Sequence, residues 1–231
     1  MRISGIIKTT LIDYPEHIAT SIFTQGCNFK CPYCHNPDLI PFEKEEEEYM
    51  ALGYFWNFLE NRKDFLDGVA ITGGEPTLQK DLIDFIEKIT RRGFKVKLDT
   101  NGSKPDIIGK LIDNDLIDYI AMDIKSSIGK YSDYSDNSNI GDKIIKSVDL
   151  IKESEINYEF RTTVVPGLHD KKVVKEIAKI VAGSRNFTLQ NFREERTYDK
   201  NYESKLPFTV KELGTFKEIL EDKVNNIKIK S

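Results

Sequence analysis

Short β-branched runs alternate along the chain with longer stretches in which apolar residues return every three or four positions. A short run rich in Val, Ile, Thr and Phe reads as a strand buried on both faces, whereas the three-to-four spacing lays one apolar stripe along a helix. The pattern predicts strands at 19–25, 68–73, 95–101, 118–125, 157–165 and 187–192, with helices near 43–64, 80–92, 105–116, 139–155, 170–183 and 209–224. Strict alternation implies parallel strands, because each crossover must carry a helix over the sheet face. Six units fall short of the eight that close a full barrel, so the expected fold is α/β, a partial (β/α)6 TIM-type barrel of curved parallel sheet with outer helices. An open doubly wound sheet is the alternative; in both architectures ligands gather at the C-terminal ends of the strands.

No linker, repeat or low-complexity tract interrupts the pattern, so residues 1–231 read as one domain, with a core over about 19–192 and a C-terminal loop and helix over 193–231. Two polar stretches, 126–139 and 193–207, follow the fourth and sixth strands and read as loops at the ligand end. The acidic run 43–48 reads as a helix start, since carboxylates favour the positive end of the helix dipole, or as an acidic docking face.

Composition narrows the function classes. The formal charge of −4, with both signs interspersed, leaves no basic stripe for a nucleic acid. No apolar run approaches the roughly 20 residues needed to cross a bilayer, which argues against a membrane partner. Three crowded cysteines without a signal peptide fit a reducing cytoplasm better than a disulfide framework.

Those three thiols, Cys27, Cys31 and Cys34, lie within eight residues in the spacing C-x3-C-x2-C. Thiolates suit iron–sulfur clusters and zinc. Zinc sites usually arrange their ligands as two separated pairs, and a fourth ligand here would have to be His35, His17 or His169. A cubane cluster held by three thiolates keeps one iron without a protein ligand.

Further candidates stand at the ends of later predicted strands. Gly73-Gly74-Glu75-Pro76 permits a sharp turn whose carboxylate or backbone groups can receive an ammonium. Asp99, within Asp99-Thr100-Asn101-Gly102, and Asp123, within Asp123-Ile124-Lys125, end the third and fourth strands. Neighbouring carboxylates repel unless cations intervene, and the candidates are Lys125, a cationic ligand or a bound monovalent cation. Each Asp could equally be a helix cap or a solvated loop residue. Arg161, on the fifth strand, offers a planar donor fork or an outer-face salt bridge, and Tyr33 offers a ring inside the cysteine loop.

The cysteine spacing, with an aromatic residue before the last Cys, resembles the signature of radical S-adenosylmethionine (SAM) enzymes. The Gly-Gly-Glu run resembles their GGE motif, and Asp99-Thr100-Asn101-Gly102, D-x-K and R-x-x-V-V-P-G resemble activating enzymes of glycyl-radical proteins. The run from Gly5 to Pro15, with Gln25-Gly26-Cys27 and Cys34-His35-Asn36-Pro37, is similar to anaerobic ribonucleoside-triphosphate reductase activating proteins, in the branch near pyruvate formate-lyase activating enzyme. This resemblance implies a partial barrel and a [4Fe-4S] cluster on Cys27, Cys31 and Cys34. It further implies SAM among Tyr33, Gly73, Gly74, Glu75, Asp99, Asn101, Asp123, Lys125 and Arg161, with a monovalent cation near Asp99 and Asp123 as an option. The implied partners are a glycyl-radical enzyme, with anaerobic ribonucleotide reductase as one candidate, and a flavodoxin- or ferredoxin-type electron donor. A small-molecule reaction, such as one on a deazapurine precursor, is the second reading, and a non-catalytic metal-binding module the third. One departure stands out: where relatives end the sixth strand in L-P-Y-H, this chain has Leu189-Gln190-Asn191-Phe192, which leaves Gln190 or Asn191 to replace the histidine.

Overall fold

The structure, a computed structural model, describes residues 1–230. Its strands are β1 (Ile3–Thr10), β2 (Ala19–Thr24), β3 (Gly68–Gly73), β4 (Lys95–Thr100), β5 (Tyr119–Asp123), β6 (Asn157–Val164), β7 (Asn186–Asn191) and β8 (Asn226–Lys230). The helices are α1 (Leu52–Glu60), α2 (Leu82–Thr90), α3 (Pro105–Asp113), α4 (Ile140–Glu153), α5 (Lys171–Ile180) and α6 (Val210–Glu221). All six expected strands, β2 to β7, stand where the periodicity puts them, and a helix follows each, with α1 shorter than expected.

The chain divides into two compact units: residues 1–28, 38–100 and 106–120 form the first, and 29–37, 101–105 and 121–231 the second. In the first unit β2, β3 and β4 are parallel neighbours, with Thr24 beside Gly73 and Ile71 beside Leu98. β1 adds an antiparallel edge on β2 that the sequence pattern did not announce. Helix α2 buries Leu82, Phe85, Ile86 and Ile89, the stripe its spacing requires. The rings of Phe55 and Phe85 stack at 5.4 Å.

In the second unit β6, β7 and β8 are parallel neighbours. Helix α5 begins at Asp170, whose carboxylate accepts from Val173 N–H at 2.8 Å, and buries Val173, Val174, Ile177 and Ala178. Thr209 and Glu212 close a reciprocal capping box at the start of α6. The expected C-terminal loop and helix therefore end in a further strand, β8, with alternating Ile227 and Ile229.

Two local expectations change. Helix α1 starts at Leu52, not near 43, and the acidic residues form only a 3-10 turn at Glu46–Glu48, outside the helix's first turn. The reason is a backbone bond: Met50 N–H donates to Ile3 O at 2.8 Å, which holds the chain extended just before the helix. The stretch 126–139 is more than a loop, because it contains a 3-10 helix at Ile128–Asp133 and buries Tyr131 and Tyr134.

Candidate functional site

In the first unit the residue run after β3 folds back onto the chain leading into Cys27. Gly74 N–H donates to Thr24 O and Glu75 N–H to Gly26 O, each at 2.8 Å. Gly73 has φ +118°, and a Cβ there would lie 2.2 Å from Thr24 N; at Gly74 it would lie 2.2 Å from Gly26 O. Glycine is required at both places because backbone meets backbone. Cys27 is itself anchored by its N–H to Ile40 O at 3.1 Å. Buried Gln25 completes this frame: its amide donates to Asp38 O and Pro41 O at 2.8 and 2.7 Å and accepts from the Ser4 hydroxyl at 2.6 Å. Gln25 was not among the expected site residues.

Glu75 is fully buried. Its Oε1 accepts from Thr77 N–H at 3.1 Å, from the Thr77 hydroxyl, and from the Thr100 hydroxyl at 2.7 Å, tying the end of β3 to the end of β4. A buried carboxylate needs such donors, and here they fasten the two strand ends together. Asp99, one step before Thr100, accepts the ammonium of Lys97 on Oδ1. Lys97 is buried on the same strand face, and sequence alone held the signal: residues two apart on a strand point the same way.

In the second unit Asp123 carries two cations. Lys125 Nζ donates to Oδ2 at 2.9 Å and Arg161 Nε to Oδ1 at 2.8 Å. Burial alone would raise the Asp123 carboxyl, but Arg161 and Lys125 together hold it well below the usual carboxylate range. Burial would lower the Lys125 ammonium; the charge of Asp123 and the thiol of Cys31 keep it above its ordinary value. The Lys125 backbone is equally fixed, with its N–H on the Tyr131 hydroxyl and its carbonyl on His169 Nε2, both at 3.0 Å. His169 was considered only as a distant zinc ligand; no feature of the sequence placed it beside Lys125. Asn101, in the same unit, accepts from Ser103 N–H at 2.9 Å and shapes its own turn.

The Cys31–Cys34 turn closes with Cys34 N–H on Cys31 O at 3.0 Å. It is held from outside by Tyr198 N–H on Cys34 O and Asp199 N–H on Pro32 O, at 3.0 and 2.9 Å. Burial pushes the Cys31 thiol up to about 11, against the easing charge of Lys125. Burial also raises the Cys34 thiol, eased by the Asn36 backbone and Lys125. Thiols so placed are poor free thiolates but suitable soft donors once a metal centre compensates their charge. Tyr33 is buried edge-on to the rings of Tyr134 and His169, each at 6.4 Å, and its hydroxyl has no hydrogen-bond partner among the described residues. A buried hydroxyl in that state fits a site made for a ligand.

After β7, Gln190 accepts from the Thr163 hydroxyl at 3.2 Å, and the Asn191 amide exchanges two bonds with the backbone of Phe208. Asn191 is thus committed to the chain. Phe192 stacks instead against His35 from the cysteine loop, ring centroids 5.4 Å apart.

Three comparisons place the chain among known proteins. The family model of the Radical SAM superfamily matches residues 21–180. The "Putative glycyl-radical enzyme activating enzyme" of Methanocaldococcus jannaschii is 38% identical over 99% of this chain and 95% of its own length. The pyruvate formate-lyase-activating enzyme of Clostridium pasteurianum is 30% identical over 80% of this chain and 78% of its own. Streptococcus suis SuiB bound to S-adenosylmethionine matches in structure with a TM-score of 0.63 at 17% identity, over 90% of this chain; the chain spans 48% of that structure. That likeness supports the α/β fold of partial-barrel type expected from the alternation. The chain belongs to the radical SAM superfamily of enzymes.

Proposed function

We propose that this enzyme cleaves SAM reductively and uses the resulting radical to install a glycyl radical on a partner enzyme, with residues 1–231 working as one domain. The observation that carries the reading is the match to the M. jannaschii relative, which runs over 99% of this chain and 95% of that protein. Membership of the superfamily implies a [4Fe-4S] cluster and SAM. When bound, the cluster would supply the one electron for reductive cleavage of SAM to methionine, and the adenosyl part would carry the hydrogen-atom abstraction from a glycine Cα of the partner.

The protein's own part is to bind, orient and exclude water. Cys27, Cys31 and Cys34 would hold the cluster with three thiolates. The backbone of Gly73 and Gly74, braced by buried Glu75, receives the methionine end. Asp99, Asn101, Asp123, Lys125 and Arg161 supply the charged and polar wall, and Tyr33 packs near the adenine. A flavodoxin- or ferredoxin-type protein delivers the electron.

The test is anaerobic incubation of the reconstituted, reduced enzyme and SAM with an anaerobic ribonucleotide reductase, followed by electron paramagnetic resonance. A glycyl radical on the partner, absent when the radical-bearing Gly is changed to Ala, supports the reading. Turnover of a deazapurine precursor, with no radical on any such partner, would replace it by the small-molecule reaction.

A further inference from the structure

Past β5 the chain leaves the sheet one residue before Lys125. Ile124 N–H still reaches Arg161 O, and the Ile124 carbonyl still accepts from the Thr162 hydroxyl, both at 2.7 Å. The main chain of Lys125 is held by side chains instead: its N–H donates to the Tyr131 hydroxyl and its carbonyl accepts from His169 Nε2, each at 3.0 Å. His169 lies in the turn after β6 and is buried. Its own N–H donates to Val165 O and its Nδ1 accepts from Val165 N–H, each at 3.0 Å, so both backbone groups of one residue orient the ring. With Nδ1 an acceptor the ring proton sits on Nε2, directed at the Lys125 carbonyl.

We propose that His169 is a positioning residue for Lys125: the imidazole fixes the Lys125 main chain and, through it, the place from which the ammonium reaches SAM. A lysine ammonium rides on a flexible four-carbon stem, so its reach is set where the stem begins. The imidazole also stands edge-on to the Tyr33 ring at 6.4 Å, a second route to the site that the experiment must separate. This inference rests on the reading that Lys125 faces SAM.

The experiment measures the Kd for SAM on the cluster-loaded protein through the change that SAM makes in the electron paramagnetic resonance spectrum of the reduced cluster. Iron content and the urea midpoint are recorded for every variant. His169→Gln puts an amide donor where Nε2 stands and gives up the bond to Val165, whereas His169→Asn keeps an acceptor at Nδ1 and gives up the bond to Lys125. His169→Gln should bind SAM like wild type, and His169→Asn should raise Kd about two- to tenfold, the span of one neutral hydrogen bond. Each variant loses one bond, so the urea midpoints should fall alike; a role in stability alone would lower both midpoints and leave both Kd values at wild type. His169→Leu should weaken SAM at least as much as His169→Asn. If it does not fold, the Asn and Gln pair carries the test.

His169→Asn that binds SAM like wild type, or His169→Gln that binds as weakly as His169→Asn, overturns the proposal. Lys125→Met separates the two levels of the argument: an unchanged Kd there removes Lys125 from the SAM site and the functional mapping with it. A weakened Lys125→Met beside a normal His169→Asn overturns the role of His169 alone. The double variant His169→Asn/Lys125→Met should bind like Lys125→Met, whereas a further loss would mean that His169 acts through Tyr33 and not through Lys125.

Discussion

His169 donates from Nε2 to the main-chain carbonyl of Lys125 at 3.0 Å while its Nδ1 accepts from Val165 N–H at the same distance, which fixes one neutral tautomer. Burial, the largest influence, lowers the imidazole from 6.5 to about 4, although the bonds to Lys125 and Val165 act the other way. The unfolded chain then binds more protons than the folded one between those two values. Stability is full above the ordinary histidine value and falls as pH drops toward the folded value, by at most about 3 kcal/mol. Urea unfolding of the reduced protein at a series of pH values should show this acid slope, and His169→Leu should flatten it. An equal slope in both proteins would assign the acid sensitivity to other groups.

Asp123 holds two cations, and its removal takes that partner from both. Its side chain is 26% exposed, with Lys125 at 19% and Arg161 at 13%. Breaking a buried ion pair on one side costs about 3 kcal/mol at the lower end of the usual range, which suits this partial exposure. Asp123→Ala should lower the urea midpoint accordingly. The double change Asp123→Ala/Arg161→Met should recover part of the loss, because one of the two charges that lost this partner goes with it. No recovery would mean that Arg161 is satisfied by other partners.

The backbone junction between the runs at Gly73-Gly74 and Gly26-Cys27 makes Gly74→Ala diagnostic. The added methyl would meet Gly26 O at 2.2 Å, so the chain before Cys27 must shift. Iron incorporated on anaerobic reconstitution should drop in this variant. Gly53→Ala is the control: nothing lies within 4 Å of its Cβ in helix α1, and the exchange should stabilise by about 0.5–1 kcal/mol without changing iron content. Normal iron in Gly74→Ala would show that the junction does not serve the cysteine loop.

The parts legible in the sequence were those governed by local period. Strands β2 to β7 announce themselves because parallel strands are apolar on both faces. β1 escaped because only its two ends are buried and the residues between are mostly polar or half-exposed. β8 offered a readable Ile227 and Ile229 alternation, but over only five residues. The partners of the motif residues were legible only in part: Lys125 stood among the candidate cations for Asp123, whereas Lys97 for Asp99, Arg161 for Asp123 and His169 for the Lys125 carbonyl were not foreseen. Pairing across strands depends on register and side-chain reach, which single-residue patterns do not encode. The acidic run 43–48 misled for a related reason, since a bond from Met50 to distant Ile3 decided where α1 begins.

The segment 193–207, expected as a loop at the ligand end, is fastened to the cysteine turn by Tyr198 N–H on Cys34 O and Asp199 N–H on Pro32 O. Lys205 adds a bond to Pro166 O at 3.3 Å, while Leu206 stays 73% exposed. Tyr198→Pro deletes the N–H that reaches Cys34, whereas Tyr198→Ala keeps it and removes only the ring. One such bond contributes roughly 0.5–1.5 kcal/mol, so the turn should open about two- to tenfold more often in the proline variant. The measurement is the rate at which the reconstituted protein loses its iron–sulfur absorbance in air. Tyr198→Pro should bleach faster than Tyr198→Ala by that factor, because oxygen reaches the centre through the opened turn. Equal rates in the two variants would show that the strap does not guard the cysteines.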